Sequence, residues 1–263
     1  MAHEETSPIS TALFSAIPLI LLLAFEFICA LLGATVEVAQ YAIALFTAEI
    51  LLLIVFMKGQ ICNGQRGRLI NANQYMAIYW LLSAIVVCTQ IATVGILPLL
   101  LSIIGLMIVA MIYLRSWLAA ALALAICGVV ISLYFVGNSP LRLSPIAQML
   151  VGVILANIAL SVSRNRLQGF IALLPFLMAL LVVVNVIYTL AMLCFAPNII
   201  QPIEAIKDLP AEFPAILYFV LHLVIMAILA VHILRKIKLD YFNLILLLIL
   251  ASSLPVWATF ISS

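Results

Sequence analysis

Charge is the scarcest thing in this sequence. Lys and Arg number 11 and Asp and Glu 9, together 8% of 263 residues, with a net charge of +2. A soluble domain is about a quarter charged, so a chain that is 68% apolar cannot cover itself in water, and a soluble fold is excluded. The few cations gather into no single stripe, which excludes nucleic acid as a partner, because that needs a clustered basic face. Cysteine is nearly as sparse. Cys62 lies in a polar stretch; Cys29, Cys88, Cys127 and Cys194 lie in apolar runs, and no two form a CxxC pair. Metal and redox motifs therefore lack their ligands, and nothing calls for a metal or a cofactor. Cys29 and Cys194 both fall towards the outer leaflet, where they could pair; the favoured reading is two buried thiols that act as small hydrophobes. Also missing are GxSxG, HExxH, Walker and Asp-rich signatures. The N-terminus carries Glu4 and Glu5 in place of the basic n-region of a secretory signal. The first apolar run reads as a retained helix.

What the sequence has instead is long hydrophobic runs. Crossing about 30 Å of hydrocarbon takes roughly 20 apolar residues. Nine runs qualify, at about residues 11–33, 38–57, 74–94, 97–113, 117–136, 146–162, 170–195, 215–234 and 241–261. The fold class is all-α, a polytopic transmembrane helical bundle that is one domain over residues 1–263. Nine spans put Lys58, Arg66, Arg68, Arg115, Arg164, Arg166, Arg235, Lys236 and Lys238 on one side, and only Arg142 and Lys207 on the other. Because Lys and Arg concentrate in cytoplasmic loops, the N-terminus is expected inside and the C-terminus outside. Tyr41, Tyr134 and Tyr218 then belong to an outer aromatic belt, and Tyr113, Trp117 and Tyr241 to an inner one. Residues 58–73 read as a polar loop. Residues 196–214, with four prolines, read as an external connection holding a short interfacial helix.

Within the spans, polar side chains are the informative ones. Glu49 falls mid-span in the second run and Glu26 in the outer half of the first, and no Lys or Arg lies inside any span to pair with them. A charged group at the bilayer centre costs on the order of 3 kcal/mol even on insertion scales. Neutral partners are available in Gln90, Asn157, Asn185 and His222; all six groups fall within roughly 8 Å of the midplane, at 1.5 Å per residue. Two readings stand: one polar cavity centred on Glu49, or separate helix–helix hydrogen bonds worth about 0.6 kcal/mol each. Glu49, Glu26, His222, Asn157, Asn185 and Gln90 are the candidates for a substrate or proton site. His222 and His232, ten residues apart, point to different sides of their helix. Arg66, Arg68, Arg164 and Arg166 serve orientation during insertion and are also candidates for holding anionic headgroups or diphosphates.

Leu97-Pro98-Leu99-Leu100-Leu101-Ser102-Ile103-Ile104-Gly105-Leu106 leading to Tyr113, and Asn157 preceding Arg164-Asn165-Arg166 and Gly169, resemble the corresponding stretch of the UbiA-type prenyltransferases. Nine spans, an inside N-terminus and polar loops after spans two and six complete the likeness. It is one of layout and is closest over residues 97–169. That family binds prenyl diphosphate through magnesium held by two Asp-rich motifs in those loops. Here the loops read Cys62-Asn63-Gly64-Gln65-Arg66-Gly67-Arg68 and Ser163-Arg164-Asn165-Arg166, with no Asp or Glu. The resemblance therefore implies a divergent member that handles an isoprenoid or other lipid without that chemistry.

Three functional readings follow. The first is a non-catalytic protein of the bacterial inner membrane that binds or moves a lipid or another amphiphilic small molecule and supports the cell envelope. The second is a small carboxylate-dependent secondary transporter using Glu49 and Glu26. The third is a UbiA-like lipid-modifying enzyme, for which no catalytic residue can be named. Membrane lipids are the expected partners, and the sequence names no protein partner.

Overall fold

The computed structural model describes residues 8–31, 40–59, 61–89, 91–136, 144–163, 168–195 and 212–261, and every regular element among them is a helix. In chain order these are α1 (Pro8–Leu31), α2 (Ala42–Lys58), α3 (Asn63–Asn73), α4 (Met76–Thr89), α5 (Ile91–Val94), α6 (Leu97–Tyr113), α7 (Leu118–Val136), α8 (Pro145–Val162), α9 (Gln168–Phe195), α10 (Glu212–Arg235) and α11 (Tyr241–Ile261). With α3, α4 and α5 counted as one pass, the described residues make nine passes. Five helical stretches are long and apolar enough to cross a membrane alone, and α1, α6 and α7 supply shorter apolar ones. Hydropathy alone gives most helix ends to within about a turn. The short helix expected in residues 196–214 lies largely outside the described residues, as do Gln90, Arg142, Arg164, Arg166 and Lys207.

The stretch read as a polar loop, 58–73, is helical from Asn63 onward. Its start is fixed by a capping box: the Cys62 side chain accepts from the Gln65 backbone, and Gln65 Oε1 accepts from the Cys62 N–H at 3.3 Å. Leu69, Ile70, Ala72 and Asn73 are its buried face, packed on α8, α6 and α1. Polar composition hides this helix because only one narrow stripe touches the bundle.

Two helices form the centre. α8 is buried at every position from Leu150 to Leu160, and α2 packs along it. They run parallel. At one end the Gln148 side chain of α8 accepts from the Ile43 N–H of α2 at 3.2 Å. At the other, Arg66 Nη2 donates to the Phe56 carbonyl at 3.4 Å and Arg68 Nε to the Ser163 carbonyl at 3.0 Å. The two arginines of α3 thus sit on the C-terminal turns of both central helices, where a cation complements the helix dipoles. Close approach is set by Gly152, whose absent Cβ would lie 2.4 Å from the Ala44 carbonyl oxygen and 2.7 Å from Thr47 Cβ. Small residues at such crossings are how membrane helices gain packing when lipid is as apolar as leucine.

Around this pair, α1, α4, α6 and α7 follow one another on one side, and α9, α10, α11 and α1 on the other. The ring parts between α7 and α9. Two side-chain expectations change. Cys88, Cys127 and Cys194 carry free, exposed thiols, so Cys194 faces lipid and is not buried; the side chain of Cys29 lies outside the described residues. Tyr41 and Tyr218 are fully buried, whereas Tyr134, Tyr113 and Trp117 are exposed as a belt requires. The two buried tyrosines leave the belt because their hydroxyls have partners inside.

Candidate functional site

Where α7 and α9 part, a cleft of about 290 Å³ reaches in to the central pair. Ile126, Val129 and Val130 of α7 form one wall and Leu177 and Leu181 of α9 the other; Thr47, Ile50 and Leu51 of α2, with Met149 and Val153 of α8, form the floor. Thr47 is the one polar side chain in that lining. Along α2 the same stripe continues through the exposed Ile54 to the exposed Lys58, at helical steps of three and four. From Thr47 to Lys58 is about 16 Å of rise. The cleft lining is thus apolar apart from Thr47, and the α2 stripe that floors it runs on past the lining to a cation about 10 Å beyond Leu51.

That end of the molecule is basic. Arg115, in the α6–α7 turn, has its guanidinium 4.0 Å from where a Cβ on Gly67 would lie. Arg66 and Arg68 are close by on α3, and from Ser163 the sequence continues into Arg164-Asn165-Arg166, outside the described residues. Arg66 Nε is buried and makes no hydrogen bond among the described residues. Asp240 is the described carboxylate at this end, and it accepts from the Asn243 N–H at 2.9 Å as the cap of α11.

The intramembrane polar groups fall at separate interfaces. Glu49 is fully buried on α2; its Oε1 accepts from Trp80 Nε1 of α4 at 3.1 Å, and its Oε2 has no hydrogen bond among the described residues. Glu26 of α1 accepts from the Gln40 N–H at 3.4 Å and is hydrogen-bonded to Tyr79. Asn157 is buried on α8, and its Nδ2 has no hydrogen bond among the described residues. The structure brings two of the candidates together, Asn185 and His222. Ser144 Oγ donates to Asn185 Oδ1 at 2.6 Å, and Asn185 Nδ2 lies 3.0 Å from Tyr218 OH and 2.8 Å from His222 Nε2. Thr189 Oγ1 closes the group 2.9 Å from Tyr218 OH. The amide nitrogen only donates, so His222 Nε2 accepts, and Nδ1–H donates to the Tyr218 carbonyl at 2.8 Å. His232 repeats the pattern, with Nδ1 2.8 Å from the Ile228 carbonyl and Nε2 3.2 Å from Asn243 Nδ2. Their partners lie on α9 and α11, so the two histidines face different neighbours. Ser144, Thr189, Tyr218 and Lys58 are the participants that sequence reasoning passed over. Hydroxyls do not stand out in an apolar helix, and Lys58 looked like a loop boundary.

No group of three or more His, Cys, Asp or Glu among the described residues is arranged to hold a metal ion. Magnesium at the connections after the second and sixth passes would need carboxylate oxygens, and arginine stands there instead.

Comparison with known proteins agrees with the fold. An uncharacterized protein of Haemophilus influenzae is 34% identical over 271 residues, covering 98% of this chain and 99% of its own. No solved structure matches. A family described as an integral membrane domain matches residues 5–260, and the chain belongs to that family of integral membrane proteins.

Proposed function

We propose that this protein binds an anionic lipid, with one chain in the α7–α9 cleft and the headgroup at the basic end. The observation that carries the reading is the cleft itself: an apolar groove open between two helices and floored by the central pair, from which the α2 stripe continues towards Lys58. Its volume is near the lower edge of ligand sites, about 300 Å³, which suits one acyl or isoprenyl chain. Among the described residues, Arg66 donates to the Phe56 carbonyl and Arg68 to the Ser163 carbonyl, and Asp240 is taken up in capping α11, so an anionic headgroup would meet unneutralised charge. We place the basic end in the cytoplasm, by the distribution of Lys and Arg, and the protein in a bacterial inner membrane. Helical spans and a relative from Haemophilus influenzae support that location. Support of the cell envelope through lipid binding or movement follows as its role.

The likeness to UbiA-type proteins adds a suggestion about the chain. Arg68, in the connection after the second pass, donates to the Ser163 carbonyl at the end of the sixth, so the two connections that matter in that layout meet here too. That favours an isoprenoid among the candidate lipids, in a protein without the magnesium-dependent chemistry.

The test is lipid analysis of protein purified in mild detergent, by native mass spectrometry. An anionic lipid should be retained above its share of the membrane. Val130→Trp should reduce retention severalfold by filling the cleft from its lipid-facing wall. Lys58→Ala should weaken it about fivefold, the equivalent of about 1 kcal/mol per cation at an anionic surface. Lipids retained in bulk proportions, unchanged by Val130→Trp, would sink the reading.

A further inference from the structure

Glu49 has no part in the lipid cleft, because its side chain turns away from Ile50 and Leu51 towards α4. We infer that it is a proton-binding site in the core, an acid that takes up and releases a proton while the bundle stays folded. Trp80 is the donor that holds its ionised form.

Three observations carry this. The first is how firmly the indole is placed. Gly105 of α6 leaves the space in which the ring lies, since a Cβ there would be 2.1 Å from it. Phe46 stacks on the ring with centroids 4.8 Å apart, and Tyr79 meets it edge-on at 5.4 Å. The indole N–H therefore points at Glu49 Oε1 by construction. The second is that neither state of the carboxyl is fully served. Ionised, it has one neutral donor and no cation, which is expensive in hydrocarbon. Protonated, its O–H finds no acceptor at Oε2 among the described residues. Glutamine would accept from the indole equally well. What glutamate adds at this position is an exchangeable proton.

The third is isolation. α8 carries no titratable residue. The titratable residue of α6 is Tyr113, exposed at its end, and those of α7 are Cys127 and Tyr134, both exposed. On α4, Cys88 is exposed and the Tyr79 hydroxyl is turned to the Tyr41 N–H at 3.1 Å. On α2 itself, Lys58 is exposed at the far end and Tyr41 bonds the Ser252 carbonyl at 2.7 Å. Arg66 is engaged at Phe56, about 10 Å along the helix axis. Glu26 of α1 is the other carboxyl in this region and is held at the Tyr79 hydroxyl and the Gln40 N–H. Among the described residues no cation faces Glu49, so a proton can decide its state.

The purified protein in lipid vesicles should be treated with dicyclohexylcarbodiimide and mapped by peptide mass. The carboxyl O–H adds across one N=C bond of the reagent to give an O-acylisourea, which rearranges to a stable N-acylurea; nothing leaves, and the ionised form does not react. Glu49 should be labelled in acid buffer. Above its midpoint, labelling should fall about tenfold per pH unit, as one proton titrates. Trp80→Phe should carry labelling to higher pH, because the ionised form loses its donor. Glu49→Gln should abolish the label while keeping the fold. Folded wild-type protein in which Glu49 stays unlabelled at every pH, or is labelled at a rate independent of pH, would overturn the proposal. Lipid retention measured on the same samples tells failure here apart from failure of the lipid reading.

Discussion

Asn185 shows how one side chain serves an interface. Its amide joins Ser144 at the start of α8, Tyr218 and His222 on α10, and no part of it is left over. Replacement by leucine would remove all three bonds and strand His222 Nε2, while Tyr218 keeps Thr189 and Ser144 keeps the Ala147 N–H. Three intramembrane hydrogen bonds at about 0.6 kcal/mol each put the loss at about 2 kcal/mol, to be read as unfolding free energy in mixed micelles. Asn157 is the control. Its Nδ2 has no bond to lose, so Asn157→Leu should stay within about 0.5 kcal/mol of wild type or stabilise, since an unpaired buried amide is itself a penalty. An equal loss at both positions would contradict this account of the network. Sequence alone named Asn185 and His222 because polar groups in hydrocarbon are conspicuous. It gave no hint that they meet while Glu49 and Glu26 stay apart, because depth along a span is countable and rotation about its axis is not.

At the scale of the helix, hydropathy and loop charge found the passes because hydrocarbon thickness sets their length. They missed α3, where polar residues look like a loop until a cap and a narrow apolar stripe are seen in contact with neighbours. They also missed the crossing of α2 and α8, which rests on Gly152. A side chain there has nowhere to go, since the obstructing atoms belong to the backbone of Ala44 and the β-branched Thr47. Gly152→Ala should therefore cost about 1–3 kcal/mol as overpacking, and Gly152→Leu should prevent accumulation of folded protein, read by size-exclusion chromatography in detergent. Gly64, in the first turn of α3, has nothing within 4 Å of its would-be Cβ. Gly64→Ala should leave stability unchanged or raise it by up to about 1 kcal/mol through helix propensity. Crowding, and not the loss of glycine, is what separates the two.

The molecule as a whole has two polar asymmetries that share a cause. The central helices are parallel, so their carbonyl ends lie at one end of the bundle, and that is where Arg66 and Arg68 are found. The same arginines belong to the nine-against-two distribution of Lys and Arg from which a cytoplasmic basic end is expected. One set of cations thus completes the helix dipoles and carries the charge signal on which the expected topology rests. The cleft was not legible in this way, because a stripe facing lipid and a stripe facing another helix are equally apolar. Orientation can be tested without new charges, since Cys62 is exposed at the basic end, immediately before α3. A variant keeping Cys62 and replacing the other four cysteines with alanine should resist a membrane-impermeant maleimide in intact cells and react once the membrane is opened. Reaction in intact cells would place the basic end outside and reverse the topology. The helix-dipole role of the arginines would stand, while the headgroup they are proposed to meet would have to come from the other leaflet.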